Sequence, residues 1–113
     1  MRAMPTRIRD DAALDAALAA PVYLLFKHSH RCSISVKAMR AYEGFVESNP
    51  GTATGWVDVV EDRPLSQRAA ADIGVEHKSP QALWLESGHA TWHESHFAIT
   101  EDALEAARPT ASA

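Results

Sequence analysis

Hydrophobic positions along this chain follow first a helical period, then a strand period, and the switches mark its elements. After Asp10 and Asp11, Leu14, Ala17 and Leu18 share one face of a 3.6-residue repeat, and Pro21 closes it, which predicts a first helix. Val22 to Phe26 is an unbroken apolar run of strand length, the pattern of a strand buried on both faces, as in a parallel sheet. Lys27 to Arg31 is a short polar connection. A long helix is expected over about Cys32 to Glu47. Ile34, Ala38, Ala41 and Phe45, with Met39, Tyr42 and Val46 beside them, form its apolar stripe, and Asn49-Pro50-Gly51 breaks it. Trp56 to Val60 reads as the next strand. Asp62 as cap and Pro64 in the first turn then start a third helix, with Leu65, Ala69 and Ile73 on one face and Gly74 placed to end it. Ala82 to Glu86 and Ala90 to Glu94 alternate around Ser87-Gly88, which predicts an antiparallel hairpin. Thr100 caps a last helix, Glu101 and Asp102 suit its positive end, and Ile99 can staple onto Leu104.

The element order is therefore α-β-α-β-α-β-β-α, with no internal repeat and no linker. It implies a single α/β domain over residues 1–113, with its core between about residues 10 and 107. A βαβ unit, a helix and a closing hairpin plus helix make a thioredoxin-like arrangement. Right-handed crossovers would put helices on both faces of a four-stranded mixed sheet. Other small α/β folds share this order.

Composition narrows the function. With 46% hydrophobic residues in 113, a core can form without staples. A net charge of −4 argues against general nucleic-acid binding, which shows a basic excess or patch. The single cysteine forbids an internal disulfide and suits a reducing cytoplasm. Arg2, Arg7 and Arg9 are followed by Asp10, Asp11 and Asp15 with no apolar region between, so no signal peptide is expected. No apolar run approaches the roughly 20 residues of a membrane helix, so no membrane partner is expected either. The tail Pro109 to Ala113 is small and polar and is expected to fray.

The chemistry centres on Cys32. It follows the first long strand and begins the long helix, where unpaired N–H groups and the helix dipole favour a thiolate. Lys27 and Arg31 add positive charge, as do His28 and His30 when protonated, and no carboxylate lies between Phe26 and Tyr42. By position alone, an inert, half-buried cysteine fits as well as a reactive one. Ser35, three residues on, occupies the second place of a C-x-x-C spacing. It is either a tolerated small residue or a hydrogen-bond partner for the thiolate, and it cannot resolve a disulfide. Ser79-Pro80 opens the third strand. In a thioredoxin fold a cis proline lies at this point and faces the nucleophile, so the role of Pro80 depends on the fold. His28, His30, His77, His89, His93 and His96 raise the question of a metal, but with no second cysteine and no HExxH motif a zinc site is disfavoured. Trp56, Trp84 and Trp92 are read as core or sheet-face residues.

Several stretches together resemble the monothiol bacilliredoxin family. They are Phe26-Lys27-His28-Ser29 before Cys32, the Cys32-x-Ile34-Ser35 site, and Asp58 to Ser66. Gly74-Val75-x-His77-x-Ser79-Pro80-Gln81 and Trp92-His93-x-Ser95-His96 follow. The family's site usually reads threonine-cysteine-proline-isoleucine-serine; here Arg31 and Ser33 replace the threonine and the proline. The resemblance implies catalysis by Cys32 with Ser35 and Pro80, and substrate contacts from Lys27, His28, Arg31 and Ser79. It implies no tightly bound cofactor and no metal. Bacillithiol would be the co-substrate, and bacillithiolated client proteins and a second low-molecular-weight thiol the partners. Lys27, Arg31 or Arg63 could meet the malate carboxylates of bacillithiol. Two other readings stay open: a redox-inert thioredoxin-like binding module, and an iron–sulfur carrier of the monothiol-glutaredoxin type.

Overall fold

Seven residues, Val22–His28, form the central strand of the molecule, and nearly all of it is buried. The computed structural model describes residues 5–110; the last three residues of the C-terminal tail, expected to fray, lie outside them. In chain order the elements are β1 (Thr6–Arg7), α1 (Asp11–Ala19), β2 (Val22–His28), α2 (Ser33–Ser48) and β3 (Thr54–Asp58). Then come α3 (Arg63–Ile73), β4 (Gln81–Glu86), β5 (His89–Ser95), a 3₁₀ turn (His96–Ala98) and α4 (Glu101–Ala107).

The sheet runs β1-β3-β2-β4-β5, with β1, β3 and β2 parallel, β4 antiparallel to β2, and β5 antiparallel to β4 and so running the same way as β2. It has five strands, where the sequence pattern predicted four. The extra strand, β1, pairs only Thr6 with Gly55 and Arg7 with Trp56, too short to show a period. Ile8 secures it, donating its N–H to the Trp56 carbonyl at 2.8 Å and burying its side chain.

Alternation along β2 divides the core between the two faces of the sheet. Leu24 and Phe26 face α2 and α4, packing with Tyr42, Phe45, Val46, Trp84, Ile99 and Leu104. Leu25 faces the other way, into a cluster of Ile8, Leu14, Val57, Leu65, Ala69, Leu83 and Leu85 under α1 and α3. Trp84 is fully buried, and its indole N–H donates to the Leu104 carbonyl, tying α4 to the sheet. Trp56 and Trp92 pack half-buried against the same cluster.

Local signals act as expected at most boundaries. Asp10 and Thr100 cap α1 and α4, accepting from the N–H groups of Ala13 and Ala103. Gly74 ends α3 at φ +80°, and Ser87 and Gly88 turn the hairpin at φ +49° and +82°. Two places differ: β3, which begins at Thr54 rather than Trp56 and also ends early, and the start of α3. β3 ends at Asp58 rather than Val60, because Asp58 Oδ1 accepts the N–H groups of both Val60 and Glu61 and turns the chain out of the sheet. Asp62 stands at the start of α3 but its carboxylate does not cap it; it accepts from Arg7 instead.

Candidate active site at the sheet edge

Topology brings four loops to one edge of the sheet. The C-terminal ends of parallel β2, β3 and β5 lie there, and so does the N-terminal end of antiparallel β4. The loops are residues 29–32, 59–62, 74–80 and 96–100. Open α/β sheets place their ligand sites at such an edge.

Cys32 sits in the first of these loops, half-buried, as the residue just before α2, whose first helical residue is Ser33. Its N–H donates to the Ser29 carbonyl, and its own carbonyl accepts from Val36 to begin the helix. No side chain among the described residues hydrogen-bonds the sulfur, and the thiol is free. Ser35 lies one turn below and is fully buried. Its hydroxyl accepts from the N–H of Ser29 at 2.9 Å and bonds His28 Nδ1 at 2.9 Å. The hydroxyl therefore braces the loop carrying Cys32 from behind.

Lys27 and His28 are sequence neighbours on opposite faces of β2. His28 follows Phe26 onto the α2 side, stacked on Phe26 and edge-on to Trp56. Burial holds it below the usual histidine range. Lys27 follows Leu25 onto the α3 side. It is only 1% exposed, and burial lowers its pKa to about 8. Its Nζ lies 3.2 Å from His77 Nδ1, and Ser66 Oγ lies 3.3 Å from the same atom. Arg31 is exposed in the cysteine loop, its N–H reaching Ser29 Oγ at 3.4 Å.

The Ser79–Pro80 bond is cis, as the thioredoxin-like order implied. Ser79 Oγ is buried without a hydrogen-bond partner among the described residues, and the Pro80 carbonyl accepts the N–H of His96 at 3.2 Å. That bond explains the Ser95-His96 stretch. His96 has a φ of +56°, a conformation histidine tolerates better than most residues, and it turns the end of β5 across the Pro80 loop. The turn leaves Phe97 69% exposed and under Lys37 Nζ.

His30 and Asp58 join the first two loops. His30 Nδ1 lies 3.0 Å from Asp58 Oδ2. Burial would raise the Asp58 pKa, but the Glu61 N–H, the His30 ring and the Val60 N–H outweigh it and hold the carboxyl below its ordinary range. His30, Asp58 and Glu61 form one cluster of potential metal donors, but its carboxylates are already engaged by His30, two backbone N–H groups and Arg7. His89 and His93 are exposed along β5. Sequence reasoning gave no role to Asp58, Ser66 or His77. The signal lay in the parity of β2, which places Lys27 over α3 and the loop before β4.

The family model for monothiol bacilliredoxin, BrxC, matches residues 7–104, nearly the whole described chain. The chain belongs to the monothiol bacilliredoxin family. Its fold is shared with a thioredoxin-fold protein solved as a candidate oxidoreductase, at 24% identity and a TM-score of 0.85, over 91% of this chain and 92% of that one. A thioredoxin variant from Halobacterium salinarum aligns at 19% identity and a TM-score of 0.75, over 99% of this chain and 94% of that one. A thioredoxin from Malassezia sympodialis aligns at 15% identity and a TM-score of 0.77, with the same coverages. A monothiol bacilliredoxin of thioredoxin fold is a thiol–disulfide exchange protein, and its one cysteine stands at the sheet edge where the four loops meet. Among the described residues no helix is long and apolar enough to cross a membrane.

Proposed function

We propose that this bacilliredoxin removes bacillithiol from the mixed disulfides of client proteins in a reducing cytoplasm, through Cys32 alone. The observation that supports this best is the placing of its single cysteine at the start of α2, free and half-buried, on the sheet edge where the cis Ser79–Pro80 bond leads into β4. The Cys32 thiolate attacks the bacillithiol sulfur of a client disulfide. The new bond joins Cys32 to bacillithiol, the old S–S bond breaks, and the client cysteine leaves as a thiolate that takes a proton from water. A second low-molecular-weight thiolate then attacks the bacillithiol sulfur on Cys32, restoring the Cys32 thiolate and carrying bacillithiol away as a small disulfide. No metal or bound cofactor takes part. Ser35 and His28 hold the loop behind the nucleophile, Pro80 and Ser79 form the wall across from it, and Arg31 supplies nearby charge. The exposed Val36 and Phe97 offer apolar surface to the client.

Mass spectrometry after reaction with a bacillithiol mixed disulfide tests this. The protein is expected to gain one bacillithiol on Cys32, and the Cys32→Ser variant none. Failure of the folded wild type to take up the adduct would overturn the monothiol mechanism.

A further inference from the structure

A concave feature lies on the same sheet edge as Cys32, next to the end of β2 that leads to it. It is a pocket of about 250 Å³ lined by Val59, Arg63, Ser66, Gln67 and His77. Its near wall is tied to the nucleophile's strand: the Val59 N–H donates to the His28 carbonyl, and Cys32 is four residues further on. Its far wall is the loop leading to Pro80. Behind the His77 ring lies the buried Lys27 ammonium.

The pocket offers hydrogen-bond donors under a positive field. An ammonium only donates, so with Lys27 Nζ at 3.2 Å the His77 Nδ1 is an acceptor, and the ring proton sits on Nε2. The His77 pKa is lowered by burial, then by the charges of Lys27 and Arg63. The ring therefore stays neutral and presents an N–H, while the Arg63 guanidinium, the Ser66 hydroxyl and the Gln67 amide supply further donors. No carboxylate lines the pocket. That contrasts with Arg7 on Glu61 and Asp62, Arg68 on Asp11, Asp15 and Asp72, and Arg108 on Glu105. Arg63 and Lys27 have no such acidic partner among the described residues, in a chain whose net charge is −4. The volume is also below the roughly 300–1,000 Å³ of clefts that enclose a whole ligand, so it suits one arm of a molecule.

We propose that this pocket, with Arg63 and His77 as its principal donors over Lys27, is a subsite for a carboxylate of the small thiol that Cys32 exchanges. The proposal rests on the exchange reading above and adds to it the selection of anionic thiols. It separates the three cations that sequence alone left equivalent: Arg63 contacts the anion, Lys27 acts from beneath through His77, and Arg31 does not line the pocket.

Two activated disulfides test it, each carrying a 2-thiopyridyl group. One bears mercaptosuccinate, a dicarboxylate, and the other bears 2-mercaptoethanol, which is uncharged. In both, Cys32 attacks the aliphatic sulfur, forms its mixed disulfide and releases thiopyridone, read by absorbance. The quantity of interest is the ratio of the rate constants, anionic over neutral. Arg63→Gln is expected to lower that ratio about tenfold, the size of one lost charge-assisted hydrogen bond. Arg40→Gln, an exposed change on α2, is expected to leave the ratio within about twofold. Free malate should slow the anionic reaction of wild type, and inorganic phosphate should do so far less. An unchanged ratio in Arg63→Gln, an equal fall in Arg40→Gln, or equal competition by phosphate would each overturn the carboxylate subsite. A folded wild type inert toward both disulfides would instead overturn the exchange reading, and the subsite with it.

Discussion

Lys27 and Ser35 show how single buried polar groups shape this molecule. Lys27 is buried as a cation whose pKa falls from the usual lysine range to about 8. Below pH 8 both folded and unfolded chains carry its proton, so the folded state bears the full burial cost. Between about pH 8 and 10.5 the unfolded chain binds more protons, so this cost diminishes as pH rises. Lys27→Met is therefore expected to stabilise the protein at pH 7, and the gain should shrink at pH 10 by about 1–3 kcal/mol. Urea denaturation of both proteins at the two pH values checks the sign. Such a trade of stability for a charged site is common at functional positions. Ser35→Ala leaves the buried Ser29 N–H without its acceptor and His28 without its partner, and is expected to cost about 1–3 kcal/mol while the Cys32 adduct still forms. Ser35→Cys puts a second thiol at the i+3 position. After reaction with a bacillithiol disulfide it is expected to lose the adduct and carry an internal disulfide with Cys32, seen by mass spectrometry. A retained adduct would show that the two sulfurs do not meet.

Among the elements, β3 is the one whose neighbours leave least room. It lies between β1 and β2, and Gly55 sits where a side chain would collide. A Cβ there would run into the Tyr23 hydroxyl and come within 3.0 Å of the Thr6 carbonyl. Gly55→Ala is expected to cost about 1–3 kcal/mol, because strand backbones cannot move apart as a flexible side chain can. A lowered urea midpoint with unchanged slope would confirm it. The next residue back, Thr54, shows the same economy of space. Its hydroxyl donates to the Leu24 carbonyl, so it accepts from the Tyr42 hydroxyl, and one side chain links β3, β2 and α2.

Over the whole molecule, β2 makes two cores into one. Leu24 and Phe26 belong to the layer under α2 and α4, Leu25 to the layer under α1 and α3. Neither layer can lose its helices without exposing the strand that the other needs. Unfolding is therefore expected to be a single transition: fluorescence, weighted toward Trp84 in the α2–α4 layer, should coincide with far-ultraviolet circular dichroism, which follows all four helices. Two separated midpoints would show that one layer melts alone.

Periodicity and caps were enough to read the helices, four of the strands and the hairpin turn, because those signals are local. The apolar stripe of α2, the left-handed Gly74 and the Thr100 cap each act within a few residues. The placing of Cys32 was legible for the same reason: strand, short loop and helix start stand next to one another around it. Tertiary structure alone decided the rest. β1 exists only because β3 accepts it as a partner, and two residues carry no period. Asp62 is spent on Arg7, which lies far from it in sequence. Ser35 turns to His28 and Ser29, and Lys27 meets His77 and the α3 side of the sheet, because the alternation of one strand sends neighbouring side chains to opposite faces. Which partners wait on those faces is set by how distant segments pack.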